Sequence, residues 1–341
     1  MKGLQIILGH IGPAQVAMRM VDGRPDDVFV EDMGELPVGS ICRATVDRAV
    51  KGIGGVFVTL PGGTGFLRKA KGLAPGQCIT VQVTGRAEDG KATPVTSRIL
   101  FKSRYAIVTP DAPGLNISRQ IKGDDLRDDL DVLAKTAMEG ADMGLILRSA
   151  CAGADMGDIA EDIEDMRELA MQVMADTGNT PQVLVEGAGP HALAWREWHD
   201  ASDVLTGRGD LEATGALDAL EQAQMPRQPI AGGYAFIEPT RALVAVDVNT
   251  GNDTSPAAAL KCNLALAADL PRLLRLRGLA GQITVDLAPV MKRDRKQIET
   301  AFRAACRRCA VETEVIGWTP LGHLELKRKR ERCVVEQVLK P

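Results

Sequence analysis

Short hydrophobic runs broken by polar residues and turns mark the first thirty residues. Runs at 5–9, 15–21 and 27–30 read as strands, and Asp22-Gly23-Arg24-Pro25 turns the chain between the second and third. From residue 40 the runs shorten and recur, at 40–49, 55–60, 65–67, 78–85 and 92–99, punctuated by Gly-Gly and Pro-Gly. Several short strands with regular turns predict a small β-barrel. Beyond residue 100 the period lengthens. A strand-like piece at 105–108 precedes a helix at 124–138, whose opening acids suit a helix N-terminus. A strand at 144–147 and an amphipathic helix at 157–176 follow. The stretch 181–232 reads as a strand, a helix at 192–201, then mixed turns. Residues 233–331 alternate cleanly, with strands at 234–238, 242–247, 282–286 and 312–317 and helices at 256–277 and 293–309. Strands alternating with helices predict an α/β domain there.

Length and charge refine this picture. A chain of 341 residues exceeds what one compact core fills, so an α/β multidomain protein is expected. A net charge of −4 does not itself point to nucleic acid, but the charges segregate. Acids gather at 124–131 and 155–168. Bases gather late, at Lys292, Arg293, Arg295, Lys296, Arg303, Arg307, Arg308 and 327–330. Seven scattered Cys read as reduced thiols, so a cytoplasmic location is expected. The apolar run at 4–8 is too short for a signal peptide, and no run is long enough to span a bilayer.

Four groups of residues could carry chemistry. Asp247 ends the apolar run 243–246, with Asn249 and Gly251 close behind, and Asp286 ends a similar run at 282–285. Strand-end carboxylates in an α/β sheet sit where active sites form, and a pair of them suits Mg²⁺, with Mn²⁺ as the alternative. The bland reading is a turn former or helix cap. In the barrel region Phe57 and Phe66 are flanked by Lys69, Lys71 and Lys91, a combination that suits stacking of single-stranded nucleic acid, unless both rings are core. Ser118-Arg119 and Arg148-Ser149 each leave an apolar strand and could cradle a terminal phosphate; the alternative is ion pairing with the acidic helices. The basic stretch 326–330 is either a solvated tail or a contact along a phosphate backbone. Cys306-Arg307-Arg308-Cys309 lacks a partner pair, with only His323 and Cys333 nearby, so zinc is not expected. No Ser/His/Asp elbow, P-loop or dinucleotide fingerprint is present.

Taken in order, these segments resemble the catalytic region of the ribonuclease E/G family. The most specific stretch is Glu238-Pro239-Thr240-Arg241-Ala242-Leu243-Val244-Ala245-Val246-Asp247-Val248-Asn249-Thr250-Gly251. Asn263-Leu264-Ala265, Leu274-Arg275-Leu276-Arg277-Gly278-Leu279-Ala280-Gly281, Val285-Asp286 and the closing Gly322-His323-Leu324-Glu325-Leu326-Lys327-Arg328-Lys329-Arg330 follow. Upstream, 118–125 and 144–150 also match, so the resemblance covers nearly the whole chain.

The resemblance implies an architecture: a split RNase H-like subdomain (1–36 and 181–232) around an inserted S1 barrel of OB type (37–99) and a 5′-sensor (100–180), then a DNase I-like α/β subdomain (233–331) and a tail (332–341). It implies that Asp247 and Asp286 hold Mg²⁺, with Asn249 supporting them. Phe57, Phe66, Lys91, Arg275 and Arg277 would contact RNA, and Arg119, Arg148 and Ser149 would hold a 5′-monophosphate. The implied reaction is Mg²⁺-dependent endonucleolytic hydrolysis of single-stranded RNA, favouring 5′-monophosphorylated substrates. The other reading is a non-catalytic RNA-binding protein acting through its barrel. Three departures stand out. Pro289 replaces a frequent Asp, Cys309-Ala310 replace an Asp-Arg pair, and no Cys-Pro-x-Cys zinc-link or long tail precedes Pro341. A homodimer, if formed, is therefore expected to lack a zinc bridge.

Overall fold

The structure, a computed structural model, describes the chain except residues 1, 2, 33, 35, 51–53, 71, 89, 201, 202 and 341. It divides into two compact units: Met1–Met33 with Ala201–Pro341, and Gly34–Asp200. The chain begins with an antiparallel meander of β1 (Leu4–Ile11), β2 (Ala14–Val21) and β3 (Arg24–Val30). It then leaves this sheet for the whole of the other unit.

That unit opens with a closed five-stranded barrel. Its strands are β4 (Ile41–Val50), β5 (Gly55–Leu60), β6 (Gly63–Arg68), β7 (Cys78–Val83) and β8 (Thr93–Thr96). They run in the order β4-β5-β6-β8-β7, and β7 returns to β4 to close the ring. Small and branched side chains fill the lumen: Ala44, Val46, Val56, Val58, Leu67, Val81 and Val95 are all buried. Gly55 is required by close approach, since a Cβ there would lie 2.6 Å from the Phe66 ring and 2.7 Å from the Leu67 carbonyl oxygen.

A four-stranded sheet follows, from β9 (Phe101–Lys102), β10 (Ala106–Thr109), β11 (Gly114–Ile117) and β12 (Gly144–Leu147), in the order β11-β12-β10-β9. Helices α1 (Asp124–Ala137) and α2 (Met156–Met174) join its core through Leu130, Ile159 and Ile163, packed with Val108, Leu145 and Leu147. The Asp155 carboxylate caps α2, accepting from the Gly157 amide at 2.7 Å. Strand β13 (Gln182–Val185) pairs with β4, and α3 (Pro190–Glu197) ends the unit.

Back in the first unit, β14 (Asp203–Leu205) pairs in parallel with β1, so residues 34–200 interrupt one sheet. The mixed turns expected next are instead α4 (Asp210–Ala213) and α5 (Ala216–Gln224). Ala216, Leu220 and Ala223 fall on one helical face and are buried with Ile7, Met18 and Val28, and that spacing was available in the sequence.

The last sheet contains β15 (Arg227–Ile230), β16 (Gly233–Pro239), β17 (Val244–Asn249), β18 (Gly281–Asp286), β19 (Thr313–Trp318) and β20 (Leu324–Arg328). Its order is β15-β16-β17-β18-β20-β19, and only β17 and β18 run parallel, joined through α6 (Pro256–Arg277). The bounds of α6 match the sequence reading because both ends are signalled. The Ser255 hydroxyl accepts from the Ala258 amide at 3.2 Å, Pro256 takes the first helical position, and Gly278 stops the helix at φ 65°. Helix α7 (Arg295–Arg308) lies beside α6. Both helices cover one face of the sheet, where Val244, Val246, Val248, Ile283 and Val285 meet Leu266, Leu270, Ile298 and Phe302. On the opposite face the same sheet presents Tyr234, Phe236, Asp247, Asn249 and Asp286.

One expectation fails here. The basic stretch 326–330 is no solvated tail, because its first three residues lie in β20. Leu324, Leu326 and Arg328 point inward while Glu325 and Lys327 point out. Arg328 is 3% exposed, and its guanidinium donates to the Thr313 hydroxyl at 2.7 Å and the Pro271 carbonyl at 3.4 Å. Cys309 Sγ lies 3.5 Å from Arg328 Nη1 and 3.2 Å from Arg275 Nη1. Burial raises the Cys309 thiol, but the two guanidinia outweigh burial and hold it below the ordinary thiol range. The following α8 (Glu336–Leu339) closes the chain. Among the described residues, no helix is long and apolar enough to cross a membrane.

Candidate functional site

The parallel ladder of β17 and β18 pairs Val246 with Val285 and, one step further, Asp247 with Asp286. Alternation follows from the pleat. The valines face the helices, so both carboxylates emerge on the open face, from neighbouring strands about 4.8 Å apart. Both aspartates are exposed. Asn249 lies on the same face, and its Nδ2 donates to Asp247 Oδ2 at 2.8 Å, fixing one carboxylate oxygen.

Two further residues hold this edge in place. Asn263 on α6 is fully buried, and its amide both donates to the Ala288 carbonyl at 2.9 Å and accepts from the Ala288 amide at 3.0 Å. Backbone two residues after Asp286 is thereby pinned to the helix. His323, in the turn before β20, places Nε2 3.7 Å from Asp286 Oδ1. The sequence singled out His323 as a nearby candidate for zinc and as part of the closing Gly322–Arg330 motif, not as a neighbour of Asp286; its position immediately before the alternating run 324–328 was the available signal.

The chemistry of this donor set suits a hard cation. Mg²⁺ is commonly held by one or two carboxylates, with water and substrate oxygens completing its shell, whereas structural zinc takes a closed set of four. Among the described residues, no three His, Cys, Asp or Glu side chains gather as a metal cage. The paired aspartates, with Asn249 beside them, fit Mg²⁺.

In the barrel, Phe57 and Phe66 are direct cross-strand partners, with ring centroids 5.3 Å apart. Their neighbours Val56, Val58 and Leu67 fill the lumen, so both rings lie on the outside, half-buried, with the Arg48 guanidinium 5.3 Å from the Phe57 ring. Lys91 sits just before β8, which pairs with β6, and makes an exposed ion pair with Glu88. Lys69 is exposed; Lys71, Gly52 and Ile53 lie outside the described residues.

The other phosphate-type constellation also sits at a parallel pair. Strands β11 and β12 match Ile117 with Leu147, so Ser118-Arg119 and Arg148-Ser149 leave the sheet side by side. Arg119 is exposed and Ser149 half-buried. Arg148 is spent inside the protein. Its Nη2 pairs with Glu197 at 2.5 Å, and its Nη1 donates to the carbonyls of Ser103 at 2.5 Å and Arg196 at 3.2 Å. Burial raises the Glu197 carboxyl, but Arg148 and Arg196 outweigh it and leave it below the usual carboxylate range.

Arg275 and Arg277, expected on the RNA surface, face inward. Arg275 is tied to Asp26, Asp27 and Cys309, and Arg277 is 5% exposed and donates to the Ile237 carbonyl at 2.7 Å. Guanidinia committed in this way brace α6 and present no free donor fork to a phosphate.

The signature described as Ribonuclease E/G family matches residues 101–205 and 211–331. Ribonuclease E of Nostoc sp. (strain PCC 7120 / SAG 25.82 / UTEX 2576) is 30% identical, over 89% of this chain and 54% of its own length. Ribonuclease G of Escherichia coli (strain K12) is 25% identical, over 98% of this chain and 81% of its own. A Ribonuclease E/G-like protein of Pyropia yezoensis is 25% identical over 86% of this chain. The chain thus spans about half the length of the Nostoc relative and most of the Escherichia coli one.

Proposed function

Because the chain belongs to the ribonuclease E/G family, we propose that it is an endoribonuclease whose reaction centre is the Asp247–Asp286 pair. The observation that carries this reading is the register of β17 and β18, which sets two exposed carboxylates side by side on an uncovered sheet face. In this reading the two aspartates hold Mg²⁺, or Mn²⁺, against the RNA backbone. Asn249 orients Asp247 through its amide. Asn263 keeps the segment after Asp286 from drifting. Bound there, the metal would supply Lewis acidity at the scissile phosphate and an activated water, leaving a 3′-hydroxyl and a 5′-phosphate.

The barrel serves as an S1-type surface for single-stranded RNA, with bases stacking on Phe57 and Phe66 and Lys91 near the backbone. The interrupted first sheet is read as the split RNase H-like part and the last sheet as the DNase I-like part. A preference for 5′-monophosphorylated RNA rests on Arg119 and Ser149, with Arg148 as the brace behind them. Reduced thiols suit action in the cytoplasm.

The test is cleavage of a 5′-monophosphorylated, A/U-rich single-stranded RNA with Mg²⁺, comparing the wild type with Asp247→Asn. Cleavage lost in the variant supports the reading. RNA binding with no cleavage by either protein would instead identify a binder acting through its barrel.

A further inference from the structure

The register of the last sheet extends the aspartate row in both directions. Arg227 is opposite Phe236, Phe236 opposite Asp247, and Asp247 opposite Asp286, with His323 beyond. Directly paired residues project to the same face, so a cation, an aromatic ring and two carboxylates lie in one line across four strands. In the next row Tyr234 is opposite Asn249. The Tyr234 and Phe236 rings meet edge to face, with centroids 5.8 Å apart, and the Arg227 guanidinium lies 4.0 Å from the Tyr234 ring.

These rings are not needed by the core. The helix-covered face carries Ala235 and Ile237 from the same strand, both fully buried, while Tyr234 and Phe236 are half-buried on the open face. The chain has six Phe and two Tyr, yet places two of them here and two more, Phe57 and Phe66, on the outside of the barrel. Scarce aromatics on a solvent-facing surface beside a cation are what stacking of nucleobases uses. Charge supports the same occupant, since Arg227 offers a phosphate partner at the end of a row that otherwise carries carboxylates.

We propose that Phe236 and Tyr234, with Arg227 at the sheet edge, form a base-stacking subsite for the nucleotide flanking the scissile phosphate. This rests on the endoribonuclease reading of Asp247 and Asp286. The base lies on the exposed part of Phe236, Tyr234 buttresses that ring, and Arg227 both caps Tyr234 and meets the neighbouring phosphate. Stacking is tolerant of base identity, so the subsite positions the strand more than it reads sequence.

An abasic scan tests it. Short single-stranded RNAs, 5′-monophosphorylated and each lacking one base at successive positions around the cut, are cleaved by the full chain with Mg²⁺. The wild type should lose roughly tenfold in kcat/KM when the base at one flanking position is missing. Phe236→Ala should lose a similar factor on intact RNA and show no further penalty at that position, and Phe236→Trp should restore the penalty. Each penalty is a ratio within one protein, so partial misfolding of a variant cancels. A Phe236→Ala protein that keeps the wild-type abasic penalty overturns the subsite. If the wild type binds RNA without cleaving it, the endoribonuclease reading fails separately. The subsite is then read by quenching of 2-aminopurine scanned through the bound RNA. Quenching lost at one position in Phe236→Ala supports the platform, and an unchanged profile overturns it.

Discussion

Two parallel strand pairs end in the residues on which function is read, and they treat charge in opposite ways. Where the parallel pairing of β17 and β18 ends, Asp247 and Asp286 stand exposed, and Asp247 accepts from the amide of Asn249. At the end of β11 and β12, Arg148 is enclosed by Glu197 and backbone carbonyls, while Arg119 on the neighbouring strand end is exposed. Both places put charge where strand ends collect ligands. A strand end sets where a charged side chain stands; its neighbours decide whether that charge is left for a ligand or used to hold the fold.

The largest effect should come from the open pair. Asp247→Asn and Asp286→Asn should each lower RNA cleavage by about 100-fold or more. Their melting temperatures should match the wild type, because neither carboxylate is buried. A large drop in melting temperature would make the pair structural, like Arg148.

Next comes Arg148→Ala, which leaves Glu197 with Arg196 alone and takes the donor from the Ser103 and Arg196 carbonyls. A loss of about 2–3 kcal/mol in urea unfolding is expected, with little change in the ratio of cleavage rates on monophosphorylated and triphosphorylated RNA. Arg119→Ala should do the reverse. A stably folded Arg148→Ala protein with a selective loss on monophosphorylated RNA would return Arg148 to direct phosphate contact.

Asn263→Leu tests the support behind Asp286. Two buried backbone groups of Ala288 lose their partner, so about 1–3 kcal/mol of stability should go, with cleavage falling alongside it. Unchanged activity in the folded variant would show that the segment after Asp286 needs no pin.

The smallest effect is on acidification. Glu197 is depressed in the folded protein, so its contribution is complete above the ordinary carboxyl range near pH 4 and is lost as pH falls through its lower folded value. Glu197→Gln lacks that contribution at every pH and should show a shallower acid-induced loss of stability, followed by circular dichroism. Equal acid profiles would remove Glu197 from the account.

Much of the fold was legible where local signals agree. Helix α6 announces itself by Ser255, Pro256 and Gly278, and the barrel by short runs between glycines. Strand β20 was missed because one of its three inward positions is an arginine, so the run 324–328 read as charge rather than alternation. Helix α5 was missed because its apolar face is mostly alanine. Phe236 and Tyr234 were read as strand residues without a role, since nothing local tells which face of a strand a helix will cover.

The sequence alone determined that Asp286 ends a strand and that Asp247 lies near the end of another, that Phe57 and Phe66 fall within a barrel, and to which family the chain is similar. These follow from period, turn chemistry and motif order, all properties of neighbouring residues. Only the tertiary structure decided that the two aspartates are register partners, that α6 and α7 leave their face open, that His323 joins them, and that Arg148, Arg275, Arg277 and Arg328 turn inward. Whether a charge is available depends on desolvation and on partners distant in the chain, and those exist only once the strands have paired and the helices have packed.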